Sequence, residues 1–329
     1  MRPLPNRLKL AELPTRIEKL DRFSQKTGVN VYIKRDDLTG TEWSGNKIRK
    51  LEFSVQEALD QGADTLITCG GLQSNHCRAT AAVAARLGLK SCLLLRTEAP
   101  DPLADGNYLI DRLLGAEIHF ISPEDYRTQR SEVMQELAEG FEKMGRHGYI
   151  IPEGASNGIG TFGYLTCMQE ILQQEKELGV EFDTIVDAVG SGGTLSGLML
   201  ANKLYGLNKR IVGINVCDDV EFFQNRVSQI VSEAAAYLDV PVEIRPDEVE
   251  IWGGYVGLGY AISQQKELDF IRDFSRLEGI VLDPVYTGKC MYGFFNEVNN
   301  GRFDTSKNVL FLHAGGLFGE FPIRNQFAL

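Results

Sequence analysis

Apolar residues along this chain gather into short β-branched runs, and between the runs they recur at helical spacing. Residues 29–35 read as a strand because Val31, Tyr32 and Ile33 are β-branched or aromatic and Asp36-Asp37 closes the run. Past a polar turn at 44–46, Leu51, Val55, Ala58 and Leu59 repeat at helical period until Gly62. From there strand and helix alternate. Strands are expected at 64–69, 90–95, 117–121, 149–151, 184–189, 210–216 and 308–312. Helices are expected at 79–87, 108–114, 132–144, 195–204, 222–237, 264–277 and 291–298. Strands joined by helices of this length call for parallel pairing with right-handed crossovers. Residues 153–164 include Gly154, Gly158, Gly160 and Gly163, more glycine than an element interior ordinarily tolerates, so a hinge or a site is expected there. The predicted class is α/β, with two open, mostly parallel twisted sheets flanked by helices. A large domain takes residues 1–50 and 159–329, and a small domain, 51–158, is inserted into it.

Composition narrows the partners. A chain of 329 residues suits two cores better than one, and 43% hydrophobic against 24% charged residues describes a globular protein. Its net charge of −11 argues against a nucleic acid, whose affinity comes mainly from clustered Lys and Arg, and favours small solutes. No run has the length of a membrane span or the shape of a secretory leader, so no membrane partner and a cytoplasmic location are expected. Cys69, Cys77, Cys92, Cys167, Cys217 and Cys290 are scattered without metal-like spacing and read as reduced, buried residues. His76 and Cys77 are adjacent, and neighbours on a helix point in different directions, so no metal is expected.

Candidate chemistry centres on Ser44-Gly45-Asn46-Lys47-Ile48-Arg49-Lys50, where one lysine follows a turn of glycine and small polar residues. Alone, the stretch is an ordinary helix start with Asn46 as its cap. Three glycine-marked strand ends change that reading. Gly190-Ser191-Gly192-Gly193-Thr194 joins a buried strand to a helix, so its N–H groups and the helix dipole converge on one anion. It lacks the GK[ST] ending of a Walker loop, and Leu195 with Gly197 departs from the dinucleotide fingerprint, which leaves a single phosphate as the favoured ligand. Gly70-Gly71-Leu72-Gln73-Ser74-Asn75-His76 releases a strand into a helix whose first turn offers N–H groups and a hydroxyl to a carboxylate, although Ser74 and Asn75 also look like capping residues. Asp283-Pro284-Val285-Tyr286-Thr287-Gly288-Lys289 is the third; here Tyr286 also reads as a half-buried aromatic and Lys289 as a solvated first-turn residue. Together they suggest a crevice at the carboxyl edges of parallel strands, suited to an aldehyde cofactor with one phosphate fixed by a lysine.

With these residues in view, the chain resembles the pyridoxal-phosphate enzymes of the tryptophan-synthase-β fold type, and within them is similar to the D-cysteine desulfhydrase and 1-aminocyclopropane-1-carboxylate deaminase family. The likeness runs through Lys34-Arg35-Asp36-Asp37-Leu38-Thr39-Gly40, Ser44-Gly45-Asn46-Lys47, Gln73-Ser74-Asn75-His76, the loop 190–194, Asp283-Pro284-Val285-Tyr286 and His313-Ala314-Gly315-Gly316. It implies pyridoxal 5'-phosphate in the cleft between the two domains, an amino acid as substrate, and a homodimer. Lys47 would carry the cofactor covalently, and Asn75 would bond its ring hydroxyl. Gly190, Ser191, Gly192, Gly193 and Thr194 would hold the phosphate, and Thr287 would sit towards the ring nitrogen. Ser74, Asn75 and His76 would take the substrate carboxylate, with Tyr260 and Tyr286 lining the substrate side. Lys47, Ser74 and Tyr286 are the implied catalytic residues, with the freed lysine or a neighbouring hydroxyl removing the α-proton.

Two positions bear on the reaction within that family. Where the deaminases carry a glutamate after the tyrosine, this chain has Thr287, as the desulfhydrases do in kind. A hydroxyl supports a protonated ring nitrogen less strongly than a carboxylate, which favours elimination over ring opening. Where the desulfhydrases typically read His-Thr-Gly-Gly, Ala314 offers no side-chain hydrogen bond. The expected activity is α,β-elimination on D-cysteine or a related β-substituted amino acid, giving pyruvate, ammonia and sulfide. The alternatives are a deaminase of the cyclopropane amino acid, a lyase of another substrate such as cysteate, and a pyridoxal-phosphate carrier or regulator without turnover.

Overall fold

A computed structural model describes residues 1–328. Ten strands occur in chain order: β1 (Ile17–Lys19), β2 (Asn30–Lys34), β3 (Thr65–Gly71), β4 (Lys90–Arg96), β5 (Glu117–Ile121), β6 (Gly148–Ile150), β7 (Thr184–Val189), β8 (Arg210–Asn215), β9 (Ile251–Trp252) and β10 (Asn308–Leu312). They form two sheets. The larger runs β1-β2-β10-β7-β8-β9 and the smaller β5-β4-β3-β6. Every pairing is parallel except β1 with β2.

Central strands of the larger sheet are apolar on both faces because helices cover both, as a parallel sheet requires. Successive side chains alternate between two cores. Ile185, Val189, Leu310 and Leu312 enter one, while Val186, Ala188, Val309 and Phe311 enter the other. Each such aliphatic or aromatic group, fully buried, contributes about 1.5–3 kcal/mol.

The strands follow the hydrophobic pattern closely, and the helices depart from it in instructive places. Helix Pro123–Lys143 begins well before 132, with the Ser122 hydroxyl accepting from the Asp125 N–H at 3.1 Å and proline in its first turn. These start signals lie in a polar stretch that carries no apolar period. Residues 158–178 form a helix where glycines had suggested a hinge. A Cβ on Gly163 would stand 2.4 Å from the Arg49 carbonyl oxygen, and one on Gly158 would stand 2.8 Å from Glu233 Cβ. The glycines therefore allow close helix contact, and that packing overrides their propensity cost of about 1 kcal/mol each. β1, helix Asp21–Thr27 and β9 are too short to show a pattern.

One charged network ties this arrangement to the helix Lys47–Asp60. Arg49, 1% exposed, donates to both oxygens of Asp36 at 2.7 and 2.8 Å and to Glu170 at 3.0 and 3.1 Å. Lys34 reaches the same Glu170 at 2.5 Å, and Tyr164 donates to Asp36 at 2.6 Å. The Lys34-Arg35-Asp36-Asp37 motif is thus an anchor that fixes the first turn after Lys47.

Candidate active site

Lys47 is the first residue of the helix Lys47–Asp60, and a tight backbone contact positions it. Gly45 has φ +108°, and a Cβ there would come within 2.6 Å of the Ala314 carbonyl oxygen, which also accepts from Asn46 N–H at 3.0 Å. Gly45 and Gly315 are therefore where two chain segments cross. Asn46 does not cap the helix; its amide donates to Thr194 Oγ1 at 3.1 Å, joining the lysine turn to the glycine loop.

A cavity between the two sheets is lined by Lys47, Asn75, the loop Gly190–Thr194, Tyr286 and Ala314. Lys47 Nζ lies against Gly154, 3.1 Å from where a Cβ would sit. Burial lowers the Lys47 pKa, and the charge of Asp187 acts against this, as Glu153 and Cys217 do to a lesser degree. Burial thus favours the neutral, nucleophilic amine.

The loop after β7 has the form of an anion cradle. Gly192 takes φ +85° and helix Gly193–Tyr205 begins directly after it. Gly190 must be glycine because a Cβ there would strike the Tyr286 ring at 2.6 Å. Ser191 Oγ meets Ser156 Oγ at 2.8 Å, and Ser156 Oγ accepts from Gly193 N–H at 3.2 Å. Lys50 Nζ, also buried, lies 3.4 Å from Ser156 Oγ and 3.0 Å from the Cβ position of Gly193. Burial and then the charge of Lys47 hold Lys50 well below its ordinary pKa, and an anion beside it would relieve that.

Asp187 is the group least expected from the sequence. It lines the cavity, is 1% exposed, and neither side-chain oxygen has a hydrogen-bond partner. Burial raises its pKa, with Lys50 and then Lys47 pulling it down. Lys50, Ser156 and Asp187 were not singled out in the sequence. Asp187 carried a readable signal, an acid within a strand of otherwise apolar and small residues. Lys50 also had one, since three residues after Lys47 it shares a helix face with it.

The loop after β3 divides its residues. Ser74 is the cap of helix Asn75–Leu87, its hydroxyl accepting from Cys77 N–H at 3.2 Å. Asn75 lines the cavity, and its side-chain oxygen accepts from Asn107 at 2.9 Å. His76 lies outside the lining and is 3% exposed, with Nε2 2.8 Å from the Thr68 hydroxyl. Burial first, then Lys47 and Lys50, hold His76 well below its ordinary pKa, so its ring is neutral.

On the opposite wall Tyr286 lines the cavity, and Tyr260, outside the lining, shares a hydrogen bond of 2.7 Å with its hydroxyl. Burial, then the neighbouring Tyr260, pushes the Tyr286 phenol well up, so it stays protonated. Lys289, expected as a solvated residue, is fully buried and donates to the carbonyls of Val256, Gly259 and Ile262 at 2.6, 2.8 and 3.1 Å. It holds the loop that presents Tyr260. Thr287 is buried, donating to Asp283 Oδ1 at 2.6 Å and accepting from Asp283 N–H at 2.9 Å. Its proton is committed, and its oxygen retains acceptor capacity.

Away from this site, Cys92, Glu117 and His119 bring ligand-type atoms within 4.8 Å of one another. Arg146 already pairs with Glu117 at 3.1 Å, and burial pushes the Cys92 thiol up to about 12, which disfavours metal binding. Among the described residues no helix is long and apolar enough to cross a membrane.

Comparison with known proteins places this geometry in context. The model of a family described as "Pyridoxal-phosphate dependent enzyme" matches residues 8–315. The chain is 42% identical over 337 residues to the mitochondrial "Bifunctional D-cysteine desulfhydrase/1-aminocyclopropane-1-carboxylate deaminase" of Arabidopsis thaliana, covering 100% of this chain and 82% of that protein. Among solved structures, an "ACC deaminase homologue" superposes with a TM-score of 0.90 at 38% identity, over 98% of this chain and 95% of that one. An O-ureido-L-serine synthase, at 17% identity and a TM-score of 0.68 over 93% and 90% of the two chains, shares the fold.

Proposed function

Since this chain belongs to the family of pyridoxal-phosphate dependent enzymes, and is a lyase of that kind, we propose that it catalyses α,β-elimination on D-cysteine or a related β-substituted D-amino acid. The observation that carries the choice is Thr287. A buried hydroxyl, its proton already given to Asp283, stands where the resemblance puts a deaminase's glutamate. The runner-up is ring opening of 1-aminocyclopropane-1-carboxylate, which the bifunctional name of the Arabidopsis relative favours.

The residues present fit the cofactor. Gly190 and Gly193 leave the loop room that a Cβ would close against Tyr286 and Ser156, Lys50 Nζ lies 3.0 Å from the Cβ position of Gly193, and Lys47 is buried with a lowered pKa. When bound there, pyridoxal phosphate supplies an aldehyde that condenses with amines and a ring that withdraws electrons from the adjacent carbon. The N–H groups of the loop, Ser191, Thr194 and Lys50 would hold the phosphate, and Asn75 the ring hydroxyl. N–H groups at the start of helix Asn75–Leu87 would orient the substrate carboxylate together with the Ser74 hydroxyl, whose oxygen accepts from Cys77 N–H and whose proton stays free to donate. Lys47 would hold the cofactor's aldehyde and, as a buried amine with a lowered pKa, would act as a base towards the substrate's α-proton. The Tyr260 and Tyr286 hydroxyls, kept protonated by burial, spend one proton in their mutual bond, and the other would be the donor towards the departing group.

Homodimerisation and a cytoplasmic location complete the proposal. Leu109 and Leu113, one turn apart on helix Gly106–Leu113, expose apolar side chains suited to a subunit contact, and all six cysteines are free and buried. The experiment is the visible spectrum and turnover of Lys47→Ala beside the wild type. The visible band of lysine-bound cofactor and pyruvate release from D-cysteine should both disappear. Retention of either would refute Lys47 as the attachment point.

A further inference from the structure

Asn107, fully buried in the first turn of helix Gly106–Leu113, lies outside the cavity lining and bonds a residue that forms it. Its Nδ2 donates to Asn75 Oδ1 at 2.9 Å and to the Gln73 carbonyl at 2.9 Å, while its Oδ1 accepts from Arg78 Nε at 2.7 Å. The backbone holds it there as well. Asn107 N–H donates to Gln73 Oε1 at 2.8 Å, and Gln73 Nε2 donates to the Asp105 carbonyl at 3.1 Å. A Cβ on Gly106 would stand 2.6 Å from Gln73 Oε1, so the approach needs glycine.

These partners leave each amide one orientation. A guanidinium only donates and a carbonyl only accepts, so Asn107 must turn its oxygen to Arg78 and its NH2 group to Gln73 and Asn75. Asn75 must in turn give its oxygen to Asn107. Its own NH2 group is left for the cavity, and among the described residues it makes no hydrogen bond to the protein. Burial lowers the Arg78 pKa to about 10, against the charges of Asp111 and Glu42, so the guanidinium stays charged at neutral pH and polarises the two amides. The same guanidinium donates to the carbonyls of Ser44 at 2.8 Å, Thr41 at 3.4 Å and Glu42, in the turn ahead of Lys47. One buried cation thus joins the lysine turn to Asn75.

We propose that Asn107, held by Arg78, is a positioning residue that makes Asn75 a hydrogen-bond donor towards the cofactor's ring oxygen, and so keeps that oxygen charged and the cofactor-bound Lys47 nitrogen protonated. This rests on the placement of Asn75 against the ring hydroxyl in the function proposed above, and adds what fixes its direction. A donor favours the anionic oxygen, which can only accept, whereas an acceptor in the same place favours the neutral hydroxyl. The difference is one proton, carried by the Lys47 nitrogen in the first case and by the ring oxygen in the second, with no other bond made or broken. A protonated nitrogen makes the carbon joined to it the better target for a substrate amine.

The test is the absorption spectrum of the holoenzyme without substrate, in which the form with a charged ring oxygen absorbs in the visible and the form with a neutral hydroxyl in the near ultraviolet. Asn107→Asp keeps the shape but offers Asn75 only acceptors, which turns the Asn75 oxygen to the cavity. The ratio of visible to near-ultraviolet absorbance should fall about tenfold, the effect of one hydrogen bond. Asn107→Ser, which keeps a smaller donor and acceptor, should fall between, and it carries the comparison if the Asp variant does not fold. With Asn75→Ala already in place, neither change at 107 should shift the ratio further, because the group it acts through is gone. An unmoved ratio in the cofactor-loaded 107 variants, or an equal shift with and without Asn75, would overturn the proposal. Failure of the Asn75 placement is distinct, because Asn75→Ala alone would then leave the ratio unmoved.

Discussion

Asp187 is the residue whose role is most open to a direct pH experiment. Burial lowers the Lys47 pKa, and Asp187 is the strongest charge opposing that shift. Replacing it with asparagine removes the negative charge and keeps the shape. Asp187→Asn should therefore move the acid limb of the pH–rate profile, where Lys47 becomes protonated, to lower pH. An unmoved limb would show that the carboxylate does not act on the lysine. At this scale the sequence was legible wherever one continuous motif carried the meaning. Lys47, Asn75 and, in the loop 190–194, Gly190, Ser191, Gly192 and Thr194 come from such motifs, and the fold brings them to one cavity, while Ser74 caps the helix beside it. Lys50, Ser156 and Asp187 lie on three separate elements and gain their meaning only when the fold brings them together. His76 belonged to a readable motif, yet its Nε2 meets the Thr68 hydroxyl and its ring lies outside the cavity lining, which the sequence had no means of showing.

Among the elements, the helix that carries Lys47 depends on its buried ions. Burial would raise the carboxyl pKa values of Asp36 and Glu170, but Arg49 and Lys34 together outweigh it, and both end below their ordinary values. A depressed carboxyl contributes stability above its unfolded pKa and loses it as pH falls through the folded value. The network should therefore stabilise the protein at neutral pH and fail on the acid side. Arg49→Met leaves the buried Asp36 without its arginine and Glu170 with Lys34 alone, and should cost about 3–5 kcal/mol at neutral pH, with a smaller difference in acid, read by urea unfolding at both pH values. An equal loss at every pH would mean that packing, not charge, is what Arg49 supplies. Strands were easier to read than helices because a buried parallel strand is a continuous apolar run. Helix Gly158–Leu178 was hidden because its glycines serve contact with Arg49 and Glu233, a reason no local propensity contains.

For the molecule as a whole, alternation of strand and helix was sufficient to anticipate two mostly parallel sheets, and the structure has them in the orders β1-β2-β10-β7-β8-β9 and β5-β4-β3-β6. All four strands of the smaller sheet lie between Thr65 and Ile150, and helix Lys47–Asp60 crosses the residue-50 boundary of the proposed insertion 51–158. Lys47 thus sits at the junction of the two units, with the phosphate cradle on one and Asn75 on the other. In the proposed function this junction performs elimination on a D-amino acid. The most direct test incubates the holoenzyme separately with D-cysteine, L-cysteine and 1-aminocyclopropane-1-carboxylate and measures the 2-oxoacid formed. Pyruvate and sulfide from D-cysteine, with little product from the other two, is the predicted result; 2-oxobutyrate from the cyclopropane substrate with no pyruvate from D-cysteine would contradict it.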